Sequence, residues 1–267
     1  MLYLISLGLS FKDMSVRSLE VLRKCSEIYL ENYTSASNFS LKQLEKLVGK
    51  KVRVLDREHV ETVKPFFNNA KSRNVALLVY GDALSATTHT EILQTAKKNK
   101  IKVEVLHGPS ILTAVADTGL SLYKFGKTGS VPFWLENFKP ESFFDILDDN
   151  QKIQAHTLFL LDLKPEQNQF IHQNSKKNFA VSSPNPLAMM TIKQAIDILL
   201  KIARKRKSNL FTANTLCVGC SQLGTEKQII KSGTAKELMN KRFGTPACLI
   251  IPGKLADYEK EVLNGKN

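Results

Sequence analysis

No stretch of this 267-residue chain reaches the roughly 18 consecutive apolar residues that a membrane span needs, and its longest apolar runs, such as Leu158–Leu161, are strand-sized. A membrane helix is therefore not expected. The opening MLYLISLGLS is apolar. It lacks the basic leader of a signal peptide and runs straight into polar residues, so it reads as a buried first strand and the chain as cytoplasmic. Cysteine is scarce: Cys25, Cys217, Cys220 and Cys248 are all there is. Cys217 and Cys220 form a C-x-x-C, but a four-ligand zinc site needs a second pair, and Cys25 and Cys248 stand apart. TLCVGC also reads as a strand, on which positions i and i+3 face opposite sides.

Several catalytic signatures are missing as well. No G-x-G-x-x-G and no P-loop follows a strand, so a Rossmann dinucleotide site and a Walker nucleotide site lack support. The five histidines, His59, His89, His107, His156 and His172, show no metal spacing such as H-E-x-x-H. No G-x-S-x-G elbow is present to carry a nucleophilic serine. Acidic residues are outnumbered, 25 against 38 Lys and Arg, for a net charge of +13. Such an excess suits a polyanionic partner. Its densest runs, Lys201–Lys207 and Lys97–Lys100, nevertheless fall where helices should end, and cations there complement the helix dipole.

What is present is a rhythm. Apolar runs at Leu2–Leu9, Glu27–Leu30, Val52–Leu55, Val75–Tyr80 and Ile101–Leu106 read as strands. They alternate with helical periodicity at Ser15–Cys25, Leu41–Leu47, His59–Ser72, Thr88–Lys98 and Ser110–Ala116. That order predicts a parallel sheet with helices on its faces. After Thr118-Gly119-Leu120 the rhythm is less regular, with strands expected at Thr128–Phe133, Thr157–Leu163, Leu216–Cys220, Gln228–Lys231 and Cys248–Ile251. Helices are expected at Glu141–Leu147, Leu187–Arg206, Thr234–Asn240 and Leu255–Leu263, and the polar stretch Gln167–Pro186 as a loop or lid. The expected architecture is α/β in two domains, residues 1–120 with a mostly parallel sheet and residues 121–267 with a mixed one, and a ligand cleft between them.

Two strand-to-helix junctions carry the candidate chemistry. Val79–His89 follows the clearest strand and precedes a helix with Thr87 or Thr88 available as cap, and in an open α/β sheet ligands bind at the carboxyl ends of strands. Gly81 there lets the backbone approach closely, while Asp82 offers a carboxylate to a ribose or a cation such as a sulfonium or amine. On residue types alone, a turn with Asp82 as a local cap is an equal reading. His107-Gly108-Pro109-Ser110-Ile111 is the second junction, with Ser110 as N-cap and free amides beside it. Glu31, just after the second strand, holds the place of a ribose-binding acid, though without a glycine fingerprint.

Longer motifs mark a resemblance. Leu2–Leu9, Glu31-Asn32-Tyr33-Thr34-Ser35, Gly81–His89, Pro109-Ser110-Ile111, Leu122–Gly126, Pro140–Asp145 and His156–Lys164 are similar to segments of the diphthine synthase family, and the similarity continues to Ile250–Gly253. The resemblance implies a two-domain methyltransferase, usually a homodimer, that binds S-adenosylmethionine and releases S-adenosylhomocysteine. It implies methylation of the amino group of a modified histidine, the diphthamide precursor, on translation elongation factor 2, with no nucleic acid required. By matching position, cofactor contacts fall on Leu9, Asp82, Ser85, Ser110, Ile111 and Leu161. Leu223 and Cys248 match two further contact positions where members usually carry Ala and His, and Ala83 stands for a usual proline. The expected chemistry is in-line attack of the amine on an activated methyl group, with Asp82, Glu31 and Tyr33 as candidates for the base and none assigned. Two rivals stay open: a methyltransferase of this fold acting on RNA or a tetrapyrrole, and a non-catalytic RNA-binding protein. The second would interleave aromatics with the basic runs, and Lys201–Lys207 has none.

Overall fold

The computed structural model describes residues 1–35, 40–165 and 187–265. They form two compact units, one built from Met1–Leu112 with Pro165 and Leu187, the other from Thr113–Lys164 and residues 188–265. No helix among the described residues is long and apolar enough to cross a membrane. The polar stretch 167–186, expected as a loop or lid, lies outside the described residues.

In the first unit, β1 (Leu2–Ser6), β2 (Glu27–Glu31), β3 (Arg53–Leu55), β4 (Val75–Val79) and β5 (Val103–Leu106) form one sheet in the order β3-β2-β4-β1-β5. All four strand pairings are parallel, with Leu4 opposite Leu77 and Val105. All five residues of β4 are buried, as a strand covered on both faces requires. Alternation sends Val75, Leu77 and Val79 to one face, where they meet Phe66, Phe67, Ile92 and Ala96 of α3 (Pro65–Ala70) and α4 (Thr90–Lys98). Ala76, Leu78 and Tyr80 turn to the other, against Leu22 of α1 (Val16–Lys24) and Leu44 and Val48 of α2 (Leu41–Val48). Ser15 caps α1 as its position suggests, accepting from the Ser18 amide.

Two expectations need correction. The helix read across His59–Ser72 is broken into a π-helical turn, His59–Val63, and α3, with Lys64 between them at φ +47°. Pro65 explains the break, since a proline disfavours the α region for its predecessor and starts a helix better than it continues one. Thr87 and Thr88 do not cap α4. His89 takes the N-cap position without a side-chain capping bond.

The second unit holds α5 (Ile111–Ala114) at its entry, then β6 (Gly129–Val131), α6 (Ser142–Lys152) and β7 (Thr157–Leu161). A two-stranded pair, β8 (Leu163–Pro165) with β9 (Leu187–Met189), precedes α7 (Ile192–Lys205). β10 (Leu216–Ser221), β11 (Ile229–Thr234), α8 (Ala235–Leu238), β12 (Ala247–Ile251) and α9 (Asp257–Asn264) complete it. The sheet order is β11-β10-β12-β7-β6, antiparallel except for β6 with β7, which is the mixed sheet expected. The long helix begins at Ile192 rather than Leu187, because Thr191 and Gln194 form a capping box that fixes its start. Its buried face, including Ile196, Leu199 and Ile202, packs with Phe143, Leu147, Phe159 and Leu249 in one core.

Candidate functional site

In the first unit β1 and β4 are neighbours, yet the chain leaves them toward opposite faces: α1 lies on one and α4 on the other. Such a divergence opens a crevice at the strands' carboxyl ends. Its floor is laced together. Gly8 and Gly81 exchange two backbone hydrogen bonds, 3.1 and 2.8 Å, both at positive φ of +74° and +71°. The Ala83 amide donates to Ser6 Oγ at 2.9 Å. A Cβ on Gly81 would meet nothing within 4 Å among the described residues, so they leave this backbone open.

Asp82 is 7% exposed and accepts from four donors. Leu84 N and Ser85 Oγ reach Oδ1, both at 3.0 Å. His107 Nδ1 at 2.7 Å and Gly108 N at 3.3 Å reach Oδ2. Burial opposes ionisation, but the Leu84 amide, His107, the Gly108 amide and Ser85 outweigh it and hold the carboxyl below the usual carboxylate range. Asp82 is therefore a fixed negative charge that ties the β4 loop to the β5 loop. Leu9 and Ile111 are half-buried apolar neighbours of this edge. Ser110, 5% exposed, accepts from Leu112 N at 3.2 Å, in the manner of the N-cap expected. The Leu9 amide donates to Asp13 Oδ2 at 3.0 Å, so Asp13 sets that loop. Five of the eight expected contact residues thus stand on the loops after β1, β4 and β5. The crevice offers a fixed carboxylate, apolar neighbours and open backbone, which fits a cationic, ribose-bearing ligand.

The three candidates for the base fare differently. With four donors on it, Asp82 has little capacity to take a proton. Glu31 is fully buried and accepts from the Tyr33 and Thr34 amides and from Thr34 Oγ1, each at 2.6 Å. The Tyr33 phenol is pushed up by burial and by Glu31 and Glu61, so it persists as a neutral donor. None of the three is built as a base. His107 opens the second junction read from the sequence but has no role there, and Asp13 goes unnamed, because their links to Asp82 and Leu9 leave no spacing signature.

The other three expected residues are in the second unit, at one end of its sheet. Leu161 ends β7, Cys248 lies opposite Leu160 and Cys220, and Leu223 follows β10 by two residues. Leu161 packs into the core beneath, so only its backbone is free to meet a ligand. Asp162 secures the strand end, accepting from Phe133 N and Leu163 N at 2.9 Å each. Cys217 and Cys220 lie on a strand as read, and both are buried. No group of three or more His, Cys, Asp and Glu able to hold a metal occurs among the described residues. The basic run at the end of α7 is largely engaged: Lys201 with Asp197 at 2.5 Å, Lys205 with Glu141 at 2.6 Å, Arg206 with Glu141 and Asp145.

The family model described as Tetrapyrrole (Corrin/Porphyrin) Methylases matches residues 1–239. A Saccharomyces cerevisiae protein named diphthine methyl ester synthase is 43% identical over 95% of this chain and 85% of its own length. The Homo sapiens protein of that name is 39% identical over 99% and 94%. A crystal structure of diphthine synthase superposes with a TM-score of 0.82 at 31% identity, covering 100% of this chain and 96% of the other. The chain belongs to the tetrapyrrole methylase family and, within it, to the diphthine synthases; it is a methyltransferase.

Proposed function

We propose that this protein methylates the diphthamide precursor, a modified histidine of translation elongation factor 2, with S-adenosylmethionine as donor. The reaction falls on the precursor's amino group, and the names of the relatives add a carboxyl methyl ester. The observation that carries the reading is the Asp82 network: a permanently charged carboxylate at the mouth of the β1–β4 crevice. When bound, S-adenosylmethionine supplies an already activated methyl group, so the protein's task is binding, alignment and exclusion of water. Asp82 would complement its positive charge, Ser85 Oγ would accept from its ribose, Leu9 and Ile111 would flank its apolar parts, and Ser110 would offer backbone amides. By matching position in the family, Leu161, Leu223 and Cys248 are further candidate contacts. No side chain among those named takes the acceptor's proton, which leaves to water.

Action as a homodimer in the cytoplasm completes the proposal. An RNA acceptor is disfavoured by the acidic partners that already engage Lys201, Lys205 and Arg206. Calorimetry provides the first test. Wild-type protein should bind S-adenosylhomocysteine at micromolar levels and Asp82→Ala at least tenfold more weakly; equal affinity would remove Asp82 from the site.

A further inference from the structure

The carboxyl edge of the first sheet has a second half, over β2 and β3, that the methyl-donor site does not use. The Asn32 amide donates to the Leu55 carbonyl at 3.2 Å and holds the segments after these two strands together. Beyond that bond, the Arg57 guanidinium lies over the Tyr33 ring, 5.2 Å from its centroid. Glu61 Oε1 accepts from the Tyr33 hydroxyl at 3.3 Å and stands 3.6 Å from Arg57 Nε. An aromatic face with a carboxylate at its rim is a receptor for an organic cation, and here the chain's own guanidinium occupies it. Arg57 is free to move, since its side chain is 73% exposed.

Behind this corner is a buried pair that packing alone does not explain. Glu31 fixes the backbone of Tyr33 and Thr34. His89, 2% exposed, gives its Nδ1 proton to the Ala83 carbonyl at 3.1 Å. Among the described residues its Nε2 has no hydrogen-bond partner, and it lies 3.9 Å from Glu31 Oε2. Native interiors rarely leave such a nitrogen unpaired. Through it the β2 end faces the Asp82 loop, which places the Tyr33 corner beside the methyl-donor crevice.

Resting on the proposed reaction, whose acceptor carries both an amine and a carboxyl, we infer that Tyr33, Arg57 and Glu61 form the acceptor subsite. The acceptor's ammonium takes the guanidinium's place on the Tyr33 face beside Glu61 and gives its proton to water before the amine attacks, and the released Arg57 pairs with the acceptor's carboxylate. Esterifying that carboxylate removes the charge Arg57 holds, so the finished product is the form that leaves.

The test compares Arg57→Ala and Glu61→Gln with wild type in methyl transfer to elongation factor 2 isolated from cells blocked just before this step. Arg53→Ala is the control: Arg53 lies over Tyr29 beside Glu27, the same three residue types at the start of β2 and β3. The inference expects the acceptor KM to rise at least tenfold in the first two variants, with the S-adenosylhomocysteine Kd within twofold of wild type. Arg53→Ala should leave both unchanged. A KM within twofold of wild type for Arg57→Ala and Glu61→Gln, or an equal rise for Arg53→Ala, would overturn it. If the wild type modifies no elongation factor, the proposed reaction fails, and titration with glycine betaine decides the subsite alone. Shifts of the Tyr33 ring resonances in wild type that vanish in both variants would sustain the subsite, and no shift in wild type would end it.

Discussion

Asp82 concentrates the site's electrostatics in one side chain. Changing it to Asn removes the charge and turns one oxygen into an NH2 that faces the donors Ser85 and Leu84, or His107 and Gly108. A buried group left unsatisfied costs about 1–3 kcal/mol. Asp82→Asn should therefore lower stability by that amount in urea titration and weaken S-adenosylhomocysteine binding tenfold or more by calorimetry. The depressed pKa adds a pH signature. Stability from this group is fully present above the unfolded value of about 3.9 and disappears as pH falls through the lower folded value. Binding should consequently show no titration attributable to Asp82 from pH 5 to 9. Loss of affinity between pH 6 and 5 that Asp82→Asn abolishes would contradict this.

Loops and elements carry the next level of constraint. Gly8 has φ +74°, and a Cβ there would lie 2.3 Å from Asp13 Cβ. Left-handed backbone alone costs a non-glycine residue about 1–2 kcal/mol. The clash would also push away the carboxylate that receives the Leu9 and Ser10 amides. Gly8→Ala should lower both the melting temperature and cofactor affinity, whereas a change in stability alone would detach the Leu9 loop from the site. Much at this scale was legible in the sequence. The all-apolar β4, the Ser15 cap and the glycine at the end of β4 are local patterns with local causes. The break at Pro65 was legible in principle, since proline excludes a continuous helix, but the apolar periodicity around it outweighed that signal. The partners of Asp82 were not legible: His107 is 25 residues away, and only the pairing of β4 and β5 with β1 brings the two together. Two of the corrections, at Pro65 and at the Thr191–Gln194 capping box, rest on local signals that the apolar periodicity overrode.

At the scale of the molecule, the second unit is tied across more than a hundred residues by Glu259. Its fully buried carboxylate meets Lys124, the Ser121 and Ala256 amides at 3.0 and 2.8 Å, and His156 Nε2 at 3.2 Å. Burial opposes its ionisation, yet Lys124, the two amides and His156 hold its carboxyl far below the usual range. Burial lowers the His156 pKa, against the pull of Glu259. Both shifts have the same sign in linkage. As pH falls below about 6.5, the unfolded chain binds the His156 proton that the folded one refuses, and below about 4.3 the same holds for Glu259. Stability should decline in these two windows. Glu259→Gln should cost about 3 kcal/mol at pH 7 by leaving Lys124 unpaired and should flatten the lower window; an unchanged acid limb in urea titrations would refute this assignment. The motifs around Lys124 and His156, which helped to mark the family, are thus explained by stability rather than catalysis. The central claim, methyl transfer to the diphthamide precursor, is most directly tested by mass spectrometry. Elongation factor 2 from cells blocked just before this step would be incubated with the pure protein and S-adenosylmethionine. The account predicts mass gains in one-methyl steps confined to the peptide bearing the modified histidine. An unmodified peptide, from a protein that still binds S-adenosylhomocysteine, would contradict it and send the search to another acceptor.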